Sequence, residues 1–260
     1  MNEMTISTRE LLFAGAQLGA KMFFGLPDPF YGMTQEEIRR EIGQMQVSLE
    51  RKGYAQLGFD AAFTLTPEAA ALVEVCAKCQ RYLLVQLTPP EAPAWQLLVY
   101  SSEAGLVEAE VQDENVTLRR IAQNAVAERI LAQLPPASGS GEAAAVVVKQ
   151  EALTQARVLA VDEPEKALEL LAGCGCPAEM AALLVQGFRR EAGRYVFCRS
   201  DFQTRTLDEM ILLQNGSGAV CLTLADVYEN QWKAEYLPAG ATEQTLRALC
   251  ALEGAAHEVL

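Results

Sequence analysis

Seven cysteines, one histidine and a large set of carboxylates are the residues of this sequence that could do chemistry. Cys76 and Cys79 lie three apart and share one face of a helical segment, and Cys174 with Cys176 could in principle complete a set of thiolates. The spacing is not that of paired zinc knuckles, and helical placement suits core packing. The cysteines are therefore expected to be reduced, metal-free and to act as small apolar residues, since an odd number of scattered thiols is no disulfide framework. No strand-turn-helix context precedes Cys76, so redox chemistry is not expected of it. His257 is the sole histidine and falls in a tail, residues 254–260, expected to fray. A Ser-His-Asp or Cys-His arrangement then has no base to work with. The run Ser138, Gly139, Ser140 and Gly141 lacks the lysine and hydroxyl ending of a phosphate-binding loop and reads as linker. Asp and Glu number 34, but abundance alone does not make a catalytic pair. The expectation is a protein with no catalytic residue, no metal and no cofactor, and not an enzyme.

Bulk composition agrees with a binding role. Of 260 residues half are hydrophobic, enough for a core in one large domain or two modest ones without disulfides. Lys and Arg total 21, so the net charge of −13 disfavours nucleic acid and anionic membrane as general partners. Residues 1–6 lack the basic region and long apolar core of a secretory signal, and no apolar run is long enough to span a membrane. A soluble, cytoplasmic protein without membrane insertion is expected.

The elements that would position these residues can be read in order. Ser7 and Glu10 form a capping box opening a helix expected to reach Met22, and residues 25–29 break it. A second box, Thr34 with Glu37, opens a helix carrying Ile38, Ile42, Met45 and Leu49, with Gly53 placed to end it. A third helix begins at Thr66 and Pro67 and reaches Cys79. Residues 34–79 thus resemble a winged helix: helix, two-stranded wing, following helix. Arg39, Arg40, Arg51 and Lys52 share this segment with Glu36, Glu37, Glu41 and Glu50, so a solvated charged face is the leading reading there over DNA contact.

Residues 81–134 read as an antiparallel meander closed by a helix. A short apolar run covers 81–85, strands over 95–100 and 106–111 flank a turn ending at Gly105, a fourth strand covers 116–121, and a helix with three-and-four spacing covers 125–134. When Arg81 is laid on Arg194, the outline recurs. Residues 210–213 fall on 97–100, the turn from Asn215 to Gly218 falls on the first hairpin turn, and 232–237 fall on 116–121 after a short insertion. Leu246, Leu249 and Leu252 close a last helix. The expectation is an α+β fold built on a duplicated sheet-plus-helix unit with quasi-two-fold symmetry. The halves would be residues 1–134 and 145–260, with 135–144 as linker, a short strand at 146–149, and helices over 151–159, 163–171 and 178–190.

The order of these pieces resembles the EspG family, cytosolic chaperones of type VII secretion. The resemblance rests on the opening helix at Glu10, Leu11, Leu12 and Phe13, on residues 48–54 with an apolar helix after them, and on the run from Leu97 through Gly105 to Ile121. It continues with Val146 to Val148, residues 167–171 with Gly173, residues 178–184, and 232–238 before the last helix. The resemblance implies a central antiparallel sheet flanked by helical bundles, no enzymatic activity, and secreted helical-hairpin clients of the PE and PPE classes. The hairpin joining Tyr100 to Leu106 is short where the family's partner contacts use longer loops, which brings WXG-type hairpins into view as clients.

Aromatic residues on the strands are by default packing groups. If the sheet face is exposed, Trp95, Tyr100 and Trp232 would supply anchors for such a client, and Glu108 and Glu110 would favour basic partners. A winged-helix transcriptional regulator with a C-terminal sensor module is the alternative reading, and an acidic-residue enzyme a third that nothing indicates.

Overall fold

In a computed structural model of the chain, residues 3–20, 22–58, 62–135 and 142–252 are described. The predicted linker falls largely on residues outside these, as do His257 and the predicted tail. The chain begins with a strand the sequence reading did not place, β1 (Glu3–Ser7), in which Met4 and Ile6 alternate inward. Helix α1 (Thr8–Gln17) follows at once. Ser7 Oγ accepts from the Glu10 amide, and Glu10 Oε2 accepts from the Ser7 amide at 2.6 Å, which is the predicted capping box. The helix stops well short of Met22. Gly19 takes a left-handed φ of 88°, and the chain doubles back so that the Phe23 ring lies where a side chain on Gly15 would be.

Helix α2 (Gln35–Arg51) opens on the second predicted box, and Gly53 at φ 76° turns the chain after it. The hairpin of β2 (Ala55–Leu57) and β3 (Phe63–Leu65) and helix α3 (Pro67–Ala77) complete the predicted helix-wing-helix order. Four strands come next: β4 (Arg81–Thr88), β5 (Trp95–Ser102), β6 (Gly105–Gln112) and β7 (Asn115–Arg120). Helix α4 (Gln123–Leu131) closes the run. Strand β8 (Ala144–Lys149) leads into α5 (Gln150–Asp162), α6 (Pro164–Gly173) and α7 (Ala178–Phe188). The succession of four strands and a helix then recurs as β9 (Gly193–Asp201), β10 (Thr206–Asn215), β11 (Gly218–Asp226), β12 (Gln231–Leu237) and α8 (Ala239–Leu249).

Among the described residues, ten strands belong to one large antiparallel sheet and β2 with β3 form a separate hairpin, so the fold is α+β as predicted. The chain divides into two compact units. The first holds residues up to 84, 96–123 and 200–206. Its sheet runs β1-β7-β6-β5, and one face buries Met4, Ile6, Tyr100, Val107, Ala109, Val116 and Leu118 against Leu11 of α1 and Leu72, Val73 and Cys76 of α3. The second holds residues 85–95, 124–199 and those from 207 on. Its sheet runs β10-β11-β12-β8, and one face buries Val220, Leu222, Ala234, Tyr236 and Val148 under α5, α6 and α7. Close packing there relies on small residues: a side chain on Gly187 of α7 would meet Leu213 Cδ1 at 2.7 Å.

Candidate partner-binding surface

Of the residues singled out in the sequence, Tyr100, Glu108 and Glu110 lie in the first unit, where the two glutamates share one cation, and Trp95 and Trp232 lie in the second. Tyr100 is fully buried in the first unit, where its hydroxyl donates to the Phe24 carbonyl at 2.7 Å and its ring meets Phe23 edge-on at 6.5 Å. Burial holds its phenol well above the ordinary range. Glu108 is also buried. It faces Arg119 across the β6–β7 ladder, and Arg119 Nη1 lies 3.1 Å from Glu108 Oε1. The same guanidinium reaches Glu110 at 3.2 Å and Glu3 at 2.7 Å. Three carboxylates are thus gathered on one cation that the chain itself supplies. Tyr100 and Glu108 are therefore not exposed anchors: α1 and α3 cover the face that holds Tyr100, and Glu108, buried on the opposite face, is ion-paired to Arg119. Trp95 is half-buried in the second unit, with the Arg129 guanidinium 6.0 Å from its ring centroid. Trp232 is half-buried on β12, opposite Leu224 on one side and Val148 on the other.

Trp232 leads to a surface that sequence reasoning missed. Strands β11 and β12 end in a hairpin past the well-buried stretch of the sheet, and the register slips between Leu224 and Asp226. Asp226 Oδ1 accepts from the amides of Tyr228 at 2.7 Å and Glu229 at 3.0 Å, an Asx turn that fixes the tip. Asn230 completes the reversal at φ 50°, and its carbonyl accepts from the Gln150 amide at 2.8 Å, tying the tip to the start of α5. On this fixed frame Tyr228 is 98 % exposed, Val227 64 % and Leu224 42 %. Leu207, at the exposed start of β10, is 64 % exposed. Beside the tip lies an open depression of about 530 Å³ lined by Lys149, Gln150, Glu151, Glu229 and Asn230. Exposed apolar side chains beside charged ones are what a protein-contact surface presents. The sequence signal was available: Val227 and Tyr228 sit in the middle of a turn, where apolar side chains have nothing of their own chain to cover them.

The thiols of Cys76, Cys176, Cys221 and Cys250 are buried, and those of Cys79, Cys174 and Cys198 are half-buried. Burial pushes the Cys76 thiol far up, and its Sγ donates to the Leu72 carbonyl at 3.5 Å. Burial likewise lifts Cys79 and Cys176 to about 11 and Cys221 and Cys250 to about 12, so the thiolates that nucleophilic chemistry requires are scarce at neutral pH. Cys76 and Cys79 belong to the core of the first unit, whereas Cys174 and Cys176 belong to that of the second. Among the described residues, no group of three or more His, Cys, Asp or Glu side chains is placed to hold a metal ion.

The molecule is an α+β protein that exposes apolar side chains at the β11–β12 tip, as it also does at Tyr31, Val158 and Val161. The chain belongs to the EspG family, whose family model matches residues 7–253. A solved structure with a similar fold is the type VII secretion system chaperone EspG5 of Mycobacterium tuberculosis in complex with a PE25–PPE41 dimer. The two align with a TM-score of 0.66 over 95 % of this chain and 94 % of that one, at 13 % identity. Among curated proteins, none matches the sequence. No helix of the described residues is long and apolar enough to cross a membrane.

Proposed function

We propose that this chain is a non-enzymatic, cytosolic chaperone of a type VII secretion system that binds helical-hairpin substrates of the PE/PPE or WXG type. The observation that carries the reading is membership of the EspG family over nearly the whole chain, supported by a fold shared over 95 % of this chain with EspG5, a type VII secretion system chaperone solved in complex with a PE25–PPE41 dimer. A helical hairpin with an apolar tip stays soluble before export only if that tip is covered, and covering calls for a complementary patch rather than a deep pocket. The contact set we assign is Trp232 with Leu224, Val227 and Tyr228, two aromatic anchors and two aliphatic side chains on a hairpin held rigid by Asp226. The acidic excess of the chain adds attraction for basic partners and deters like-charged ones.

Co-expression tests the reading. Small helical secretion proteins encoded beside this chain should become soluble in its presence and co-purify with it at a fixed stoichiometry. Unchanged solubility of every such neighbour, together with sequence-specific DNA binding by the chain at physiological salt, would replace the chaperone with the winged-helix regulator.

A further inference from the structure

The two end strands of the large sheet are finished differently. Strand β1 is sealed. The Thr8 amide donates to the Glu114 carbonyl at 2.8 Å, so by the alternation of an antiparallel ladder the amides of Ser7 and Thr5 point away from β7. Side chains meet both: Thr5 donates to the Tyr54 hydroxyl at 3.1 Å and Ser7 to Glu10 Oε2 at 2.6 Å. A strand edge dressed in this way offers no template to another chain.

Strand β8 has no such finish. The Gln150 amide donates to the Asn230 carbonyl, which makes that pair hydrogen-bonded and turns the amides and carbonyls of Ala145 and Val147 away from β12. Among the described residues, no side chain or backbone group meets the outward amides of Ala145 and Val147. The Val147 side chain is 55 % exposed, and the strand carries no proline, bulge or inward charge to blunt it, with Lys149 only at its end.

We infer that β8 is a pairing edge and that its occupant is β8 of a second copy of this chain. The strand is self-complementary in size. Antiparallel pairing about a two-fold axis normal to the sheet, with Val146 opposite its own copy, sets Ala145 against Val147 and Ala144 against Val148, a small side chain facing a branched one at each step. This register brings the outward amides and carbonyls of Ala145 and Val147 into direct exchange. It is also favourable in charge, because Lys149 of one copy comes to the end of the strand where Glu142 of the other begins. The contact is small and opposed by a net charge of −13 per copy, so the dimer is weak and deepens with concentration and salt.

Light scattering of the full chain over a wide concentration range tests the inference. The expected result is a mass rising from 28.3 kDa toward twice that value, with the rise enhanced by salt. Val147→Pro removes only an outward amide and should leave the β12 ladder intact while weakening association about tenfold or more. Val147→Lys, which charges the same edge without constraining the backbone, should do likewise and stands in if the proline variant fails to fold. Hydrogen exchange across residues 144–149 should show protection that grows with concentration in the wild type. A chain that stays at 28.3 kDa throughout, a folded edge variant that dimerises as the wild type does, or protection that appears only when a helical client is added would each overturn the second-copy assignment.

Discussion

Glu10 shows how much one side chain carries in the first unit. It is buried, caps its own helix through the Ser7 amide, and accepts from Lys52 Nζ at 2.7 Å. Burial by itself raises the carboxyl pKa, but hydrogen bonds from Lys52, Ser48 and the Ser7 amide outweigh it and hold the group below the usual glutamate range. A lowered folded pKa means that the stabilisation is present above the unfolded value and is lost as pH falls through the folded one. Replacing Glu10 by Gln should therefore cost about 1–3 kcal/mol at neutral pH. The gap between variant and wild type should close as pH falls below the ordinary carboxylate range, as read from urea midpoints at a series of pH values. The capping role was legible in the sequence because both partners lie three residues apart. The burial of Tyr100 and Glu108 was not, since strand alternation says which residues share a face but not what covers it. Nothing local reveals that Arg119 gathers Glu3, Glu108 and Glu110.

At the scale of elements, local signals again decided what could be read. Both capping boxes, the proline start of α3 and the Gly105 turn lie within a few residues of what they control, and each formed as expected. Strand β1 escaped because its partner β7 is far along the chain, and five residues with two inward positions give too short an alternation to stand alone. Helix α1 ends well before Met22 because the apolar residues past Gly19 belong to a returning segment that packs on the helix rather than to the helix itself. The hairpin of β11 and β12 is the element on which the proposed contacts depend. Replacing Asp226 by Ala removes the acceptor for two tip amides, so exchange at residues 227–229 should speed up while the melting temperature shifts little. Affinity for a helical client should fall modestly, because the anchors remain but are no longer held in place.

At the scale of the whole molecule, 13 % identity with EspG5 across almost the full length of both chains shows that the fold constrains pattern rather than particular residues. Apolar positions at the right period, caps and turns suffice to specify the layers, and many sequences supply them. The outward surface is under no such constraint, which is why element order was legible here and the proposed contact residues were not. We propose that this chain holds a helical secretion substrate through the exposed end of its second unit. The most direct measurement is isothermal titration of a co-encoded helical hairpin into the wild type and into a folded Tyr228→Ala, Trp232→Ala variant. Saturable binding to the wild type and a loss of more than about 2 kcal/mol in the variant are expected, the scale of paired aromatic anchors. Equal affinity for both proteins would contradict it.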